Sequence, residues 1–80
     1  MGWSDAYVVN EMTTDERMIA FGKRVREVRR NKGISQEKLA ELAGIDRSYM
    51  GNIERGEKNI TLKKVYEICD ALKVDIKELI

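Results

Sequence analysis

The stretch from Ser35 to Gly56 leaves this chain few ways to fold. Two short runs, Gln36 to Ala43 and Arg47 to Arg55, flank Gly44-Ile45-Asp46. Each opens behind a residue whose side chain can cap a helix, Ser35 for the first and Asp46 for the second. Gly44 ends the first run and Gly56 the second. Leu39, Ala40, Leu42 and Ala43 are expected to face inward from the first helix, Met50 and Ile53 from the second. Ala40 stands where the helices cross and only a small side chain fits. Gly44, four residues later, stands where the turn requires positive φ. Leu39, Ala43 and Ile45 supply the remaining apolar contacts.

The flanks carry the same kind of punctuation. Between residues 15 and 32, Ile19, Phe21, Val25 and Val28 fall near helical spacing, with Arg17, Lys23, Arg24, Arg30 and Lys32 on other faces. Thr13 and Glu16 form a capping box, and Gly33 supplies the stop behind a basic last turn that suits the helix dipole. After the polar loop Gly56-Glu57-Lys58-Asn59, Thr61 can cap a helix carrying Leu62, Val65, Ile68, Cys69 and Leu72 on one side. Asp75 with Glu78 around Ile76, Leu79 and Ile80 predicts a fifth short helix or turn. No strand pattern interrupts this core. The reading is all-α: a compact five-helix domain over residues 15–80, preceded by an arm or extra short helix over residues 1–14. Eighty residues allow one core only. Trp3, Tyr7, Val8, Val9 and Met12 are apolar enough to pack, but the β-branched pair weakens a helical reading. Docking on the core, docking on a partner and motion in solution all stay open for the arm.

Several function classes fall away on inventory. With one cysteine, Cys69, and no histidine, the chain has neither an internal disulfide nor a zinc-ligand set, and nucleophile–base pairs are scarce. Glu37 and Glu41, alternating with Lys38, look like ordinary surface charge. No enzyme, metal or cofactor is expected. No apolar run approaches the roughly 20 residues that span a bilayer, so no membrane role is expected, and the single cysteine suits a reducing cytosolic location.

The net charge of +1 conceals a division. Residues 1–16 carry four acids and no base, residues 17–64 carry 13 bases against six acids, and the rest carry two bases against four acids. A basic centre between acidic ends is the pattern of a face that meets a polyanion.

Two short helices joined by Gly44-Ile45-Asp46, with Met50 and Ile53 six and nine residues beyond the glycine, make a helix-turn-helix. Here the chain also resembles a known family: Ser35-Gln36-Glu37-Lys38-Leu39-Ala40 and Ile53-Glu54-Arg55-Gly56 look like the Cro/repressor (XRE-type) DNA-binding domain, over roughly residues 19–80. Within it, the run from Asp46 to Thr61 is most similar to controller proteins of bacterial restriction-modification systems. The resemblance implies a lambda-repressor-like fold, double-stranded DNA as partner in a bacterial or phage setting at the nucleoid, and a homodimer on a palindromic operator acting on its own and a neighbouring promoter. Whether it represses, activates or does both is left open.

Side chains in the first turn of a recognition helix point at base edges, which selects Arg47, Ser48 and Asn52. Arg47 suits guanine O6 and N7, against the alternative of a surface pair with Asp46. Ser48 and Asn52 can meet bases or phosphates, or stay ordinary helix surface. Tyr49 can reach a phosphate or pack its ring on the following loop. Gln36 resembles the family's phosphate-binding glutamine, and its amide and the helix N-terminus both have donors to give. Arg55, Lys58, Asn59 and the cap at Thr61 occupy the loop where family members grip the backbone. The resemblance makes Arg29 and Glu54 a structural ion pair, with Arg24, Arg26 and Arg30 exposed. Val74, Ile76, Leu79 and Ile80 exceed what so small a core must bury, which makes them the expected dimer interface. The competing reading is a protein-interaction module of antitoxin type whose main partner is another protein.

Overall fold

Thr13 and Glu16 start the first helix as the capping box requires. The Glu16 amide donates to Thr13 Oγ1 at 3.1 Å and the Thr13 amide to Glu16 Oε1 at 2.8 Å. In this computed structural model, which describes residues 11–57 and 59–80, the helix α1 spans Thr14–Asn31. Most of the 1–14 arm and Lys58 lie outside the described residues.

Ser35 Oγ accepts from the Lys38 amide at 3.0 Å and opens α2, Gln36–Ala43. Gly44 ends it in the left-handed region at φ 67, where a side chain would be strained. Asp46 Oδ2 then accepts from the Ser48 amide at 3.0 Å and the Tyr49 amide at 3.3 Å, opening α3, Arg47–Arg55. Thr61 caps α4, Leu62–Leu72, through the Lys64 amide at 3.2 Å. The last element is a single 3-10 turn, Ile76–Glu78. Among the described residues there are four α-helices and no strand, so the fifth element is the turn of the two forms expected.

The core joins all four helices. Val25 of α1, Leu39 of α2, Met50 of α3, Ile68 and Leu72 of α4 and Leu79 of the tail are wholly buried, with Val28, Ala40, Ala43, Ile45, Ile53 and Cys69 around them. Each large side chain removed from water in this way contributes about 1.5–3 kcal/mol. The principal packings are α1 on α3, α2 on α4 and α2 on α3. Gly22 makes the first of these possible, because a Cβ there would stand 2.6 Å from the Glu54 carbonyl oxygen and closer still to that of Ile53.

Three apolar positions depart from expectation. Leu42 is 50% exposed, because the inward stripe of α2 runs through Gln36, Leu39, Ala40 and Ala43 and at 3.6 residues per turn Leu42 points roughly 110° away from its centre. Leu62 is 63% exposed at the first position of α4, ahead of the buried stretch at Ile68, Cys69 and Leu72. Ile19 is likewise exposed.

Candidate nucleic-acid interface

Helix α3 is held from behind and open in front. Met50, Gly51, Ile53 and Glu54 are buried, while Arg47, Ser48 and Arg55 are exposed. It is a helix separate from α2, turned away from it at Gly44-Ile45-Asp46, and its first turn projects into solvent. This is the geometry a recognition helix needs to enter a major groove.

Between α2 and α3 lies a groove of about 280 Å³ lined by Gln36, Arg47, Ser48, Gly51, Asn52 and Arg55. It gathers five of the sequence-selected polar residues, Gln36, Arg47, Ser48, Asn52 and Arg55, over a floor left bare by Gly51. A Cβ on Gly51 would come within 3.3 Å of Arg55 Nη1 and 3.5 Å of Gln36 Oε1. Gly51 was not among the residues singled out from the sequence. The signal existed, since glycine inside a nine-residue helix costs stability and marks a place where something approaches the backbone.

Arg47 does not pair with Asp46, whose carboxylate is committed to capping α3. Among the described residues it is paired with Glu37 at 3.9 Å, with both side chains exposed. Such a surface contact restrains an arginine weakly, so the guanidinium is available to a ligand. Asn52 Oδ1 instead accepts from Arg55 Nη2, and Arg55 Nε lies 3.2 Å from Glu57 Oε1. The arginine is thereby spread along the outer edge of α3.

Tyr49 is half-buried and packs toward the loop. Its hydroxyl donates to the Asn59 carbonyl at 3.0 Å and Lys64 Nζ sits 5.3 Å from the ring centroid. Asn59 and Thr61 are exposed, and Thr61 Oγ1 already caps α4.

Beneath the groove, Glu54 is 2% exposed and receives four donors. Arg29 gives Nε to Oε2 at 2.8 Å and Nη2 to Oε1 at 3.0 Å; Gln36 Nε2 and Arg26 Nε reach Oε1 at 3.1 and 3.4 Å. Arg29 Nη1 donates to the Ile34 carbonyl at 3.0 Å. Burial pushes the Glu54 carboxyl up, but the hydrogen bonds from Arg29 and Gln36, the Arg29 charge and Arg26 outweigh it and hold the group below the ordinary glutamate range. The pair implied by resemblance is therefore a larger network. Arg26 belongs to it and is half-buried, whereas Arg24 and Arg30 are exposed as expected. Arg24 is tied down at the surface by the Glu78 carbonyl at 2.6 Å and by Glu27 at 3.1 Å.

The four tail residues separate. Leu79 is 1% exposed and part of this chain's own core, Val74 and Ile76 are half-buried against it, and Ile80 is 82% exposed. Leu79 is thus committed to this chain's own core and offers almost no accessible surface to a second copy. Ile80 borders an apolar groove of about 550 Å³ whose lining includes Met12, Met18, Phe21, Ile60 and Leu79.

A family model described as helix-turn-helix matches residues 25–79. The chain belongs to this helix-turn-helix family. The chain is 41% identical over 70 residues to Control protein C.BamHI of Bacillus amyloliquefaciens, covering 86% of this chain and 85% of that one. Among solved structures, the restriction-modification controller protein C.AhdI from Aeromonas hydrophila superposes with a TM-score of 0.79 at 45% identity, over 81% of this chain and 98% of that one. The biofilm regulator SinR in complex with DNA, the protein of Bacillus subtilis, superposes at 0.70 and 33% identity, over 74% of this chain and 95% of that one. The helix-turn-helix protein is a DNA-binding transcriptional regulator, and its family consists of such regulators rather than enzymes. Among the described residues no helix is long and apolar enough to cross a membrane.

Proposed function

We propose that this regulator acts as a homodimer on a palindromic operator and, in the manner of a restriction-modification controller protein, sets transcription from its own promoter and that of a neighbouring gene in the bacterial cytoplasm. The observation that carries the reading is the exposed first turn of α3, where Arg47 and Ser48 stand clear while Met50, Ile53 and Glu54 fix the helix from behind. Arg47 reads a base edge, Ser48 and Asn52 lie beside it, and Gln36 with the free amides at the start of α2 donates to a backbone phosphate. Arg55, Asn59 and Lys58 hold the flanking backbone, with Tyr49 tying the Asn59 loop to the recognition helix. The names of C.BamHI and C.AhdI support the controller role.

Dimerisation through the tail is supported by Ile80, which leaves an aliphatic side chain in water beside an apolar groove, with Val74 and Ile76 half-exposed on the same segment. Two recognition helices so related read half-sites about 10 base pairs apart. The test is a mobility-shift and footprinting experiment on DNA upstream of the protein's own gene, with sedimentation of the free protein. A specific shift and a two-fold footprint by a dimer is the expected result. A monomer at high micromolar concentration overturns the dimer, and no specific shift combined with tight binding to a neighbouring gene's product favours the protein-interaction module instead.

A further inference from the structure

Glu54 is buried behind the DNA face, yet one of its four donors comes from a residue on that face. Gln36 lies on the inward stripe of α2, and its Nε2 reaches Glu54 Oε1 at 3.1 Å. An ionised carboxylate only accepts hydrogen bonds, so the carboxamide must turn its nitrogen inward. Its oxygen then faces the groove over Gly51, and one N–H is left over. Glu54 cannot yield to a flipped amide, because Arg29 grips both of its oxygens and Arg26 shares Oε1. Without this anchor the Gln36 carboxamide would be free to present either end to the groove; with it, the oxygen stays over Gly51 and the second N–H is the donor left for a phosphate.

We infer that Glu54 is a positioning residue for the phosphate contact: it fixes the orientation of the Gln36 carboxamide, so that the Arg26–Arg29–Glu54 network governs DNA affinity as well as stability. The inference rests on the reading of Gln36 as a phosphate contact. It separates Glu54 from a purely structural group, whose loss would lower stability and leave the affinity of the folded protein unchanged. Fixing a donor beforehand removes the cost of ordering it during binding.

Gln36 is the only glutamine in the chain, so selective labelling identifies its side-chain amide as one pair of hydrogen resonances in nuclear magnetic resonance. In the free full-length protein one of its two hydrogens should exchange more slowly than those of the exposed Asn59 amide. Binding to the footprinted operator fragment, read by fluorescence anisotropy, should weaken about tenfold in Gln36→Ala and in Glu54→Gln, as expected for losing one oriented charge-assisted contact. The double variant should bind no more weakly than Gln36→Ala alone. Gln36→Asn, whose amide is one methylene too short to span from α2 to Glu54, should match Gln36→Ala and leaves the Arg29–Glu54 pair intact if Glu54→Gln fails to fold. Losses that multiply in the double variant, wild-type affinity in Gln36→Asn, or an unprotected Gln36 amide each overturn the role given to Glu54. Absence of DNA binding by the wild-type protein defeats the underlying phosphate reading instead, even with the amide protected.

Discussion

Gly22 of α1 lies flat against the backbone of α3, with the carbonyl of Glu54 2.6 Å from where its Cβ would be. The helix carrying the recognition surface is thus set at its depth by the absence of one methyl group. Gly22→Ala should destabilise the domain by about 3 kcal/mol, near the upper end for overpacking, because backbone rather than a flexible side chain must move. Urea denaturation measures it, and a variant as stable as wild type would show that the crossing can relax.

Arg29 and Glu54 should behave as one unit. Arg29→Met leaves a buried carboxylate short of two hydrogen bonds and should cost about 3–5 kcal/mol. Adding Glu54→Leu to it should recover part of that loss, since no buried charge then lacks its partner. Additive losses in the equilibrium unfolding of the four proteins would contradict the coupling.

Stability should fall on acidification through Glu54. Its folded-state value lies below the ordinary 4.5, so the unfolded chain takes up the proton first as pH falls. The stabilisation is complete above that ordinary value and is lost as pH drops through the lowered folded-state one. Urea midpoints between neutral pH and about pH 3 should decline more steeply for wild type than for Glu54→Gln. Parallel curves for the two proteins would remove Glu54 from the effect.

Arg47 should govern sequence choice. Arg47→Ala should cost about 1–3 kcal/mol of discrimination at one base pair while affinity for random DNA changes little. Lys58→Ala should weaken all sequences alike and lower the salt slope by about one. Competition binding with single-base operator variants distinguishes the two, and identical profiles would cancel the division of labour.

Cys69 should report unfolding. Its thiol is buried in α4, and burial, with Asp70 and Asp75 nearby, holds its pKa above the ordinary value. A thiol reagent should therefore label the folded protein slowly, at a rate that rises with urea in step with global unfolding. Fast labelling without denaturant would mean that α4 opens locally.

Much of the site was legible because caps and short-range spacing are written locally. Ser35, Asp46 and Thr61 each bond the amides expected of them, and the bounds of α2 and α3 follow from those caps and the glycines behind them. The end of α4 was not legible, because Lys73, not a glycine, takes the left-handed position at φ 59. Leu42 and Leu62 read as inward because apolarity says what a side chain tolerates, not which face a short helix turns to its neighbours. The surplus apolarity of the tail was visible, but the burial of Leu79 depends on where the last turn lands relative to α1 and α4.

The sequence by itself determined that four capped helices form, that the second and third meet at Gly44, and that a basic stretch carrying Arg47 and Ser48 faces outward. Those properties depend on residues three or four apart, whose interactions any folded arrangement must respect. Only the tertiary structure decided that Glu54, beyond the Arg29 pairing that the family resemblance implied, also gathers Arg26 and Gln36, that Gly22 admits α3, and that Gly51 floors the groove. Each of these joins segments far apart in the chain through a distance of a few ångströms, and that distance is set by how whole helices pack rather than by any local pattern.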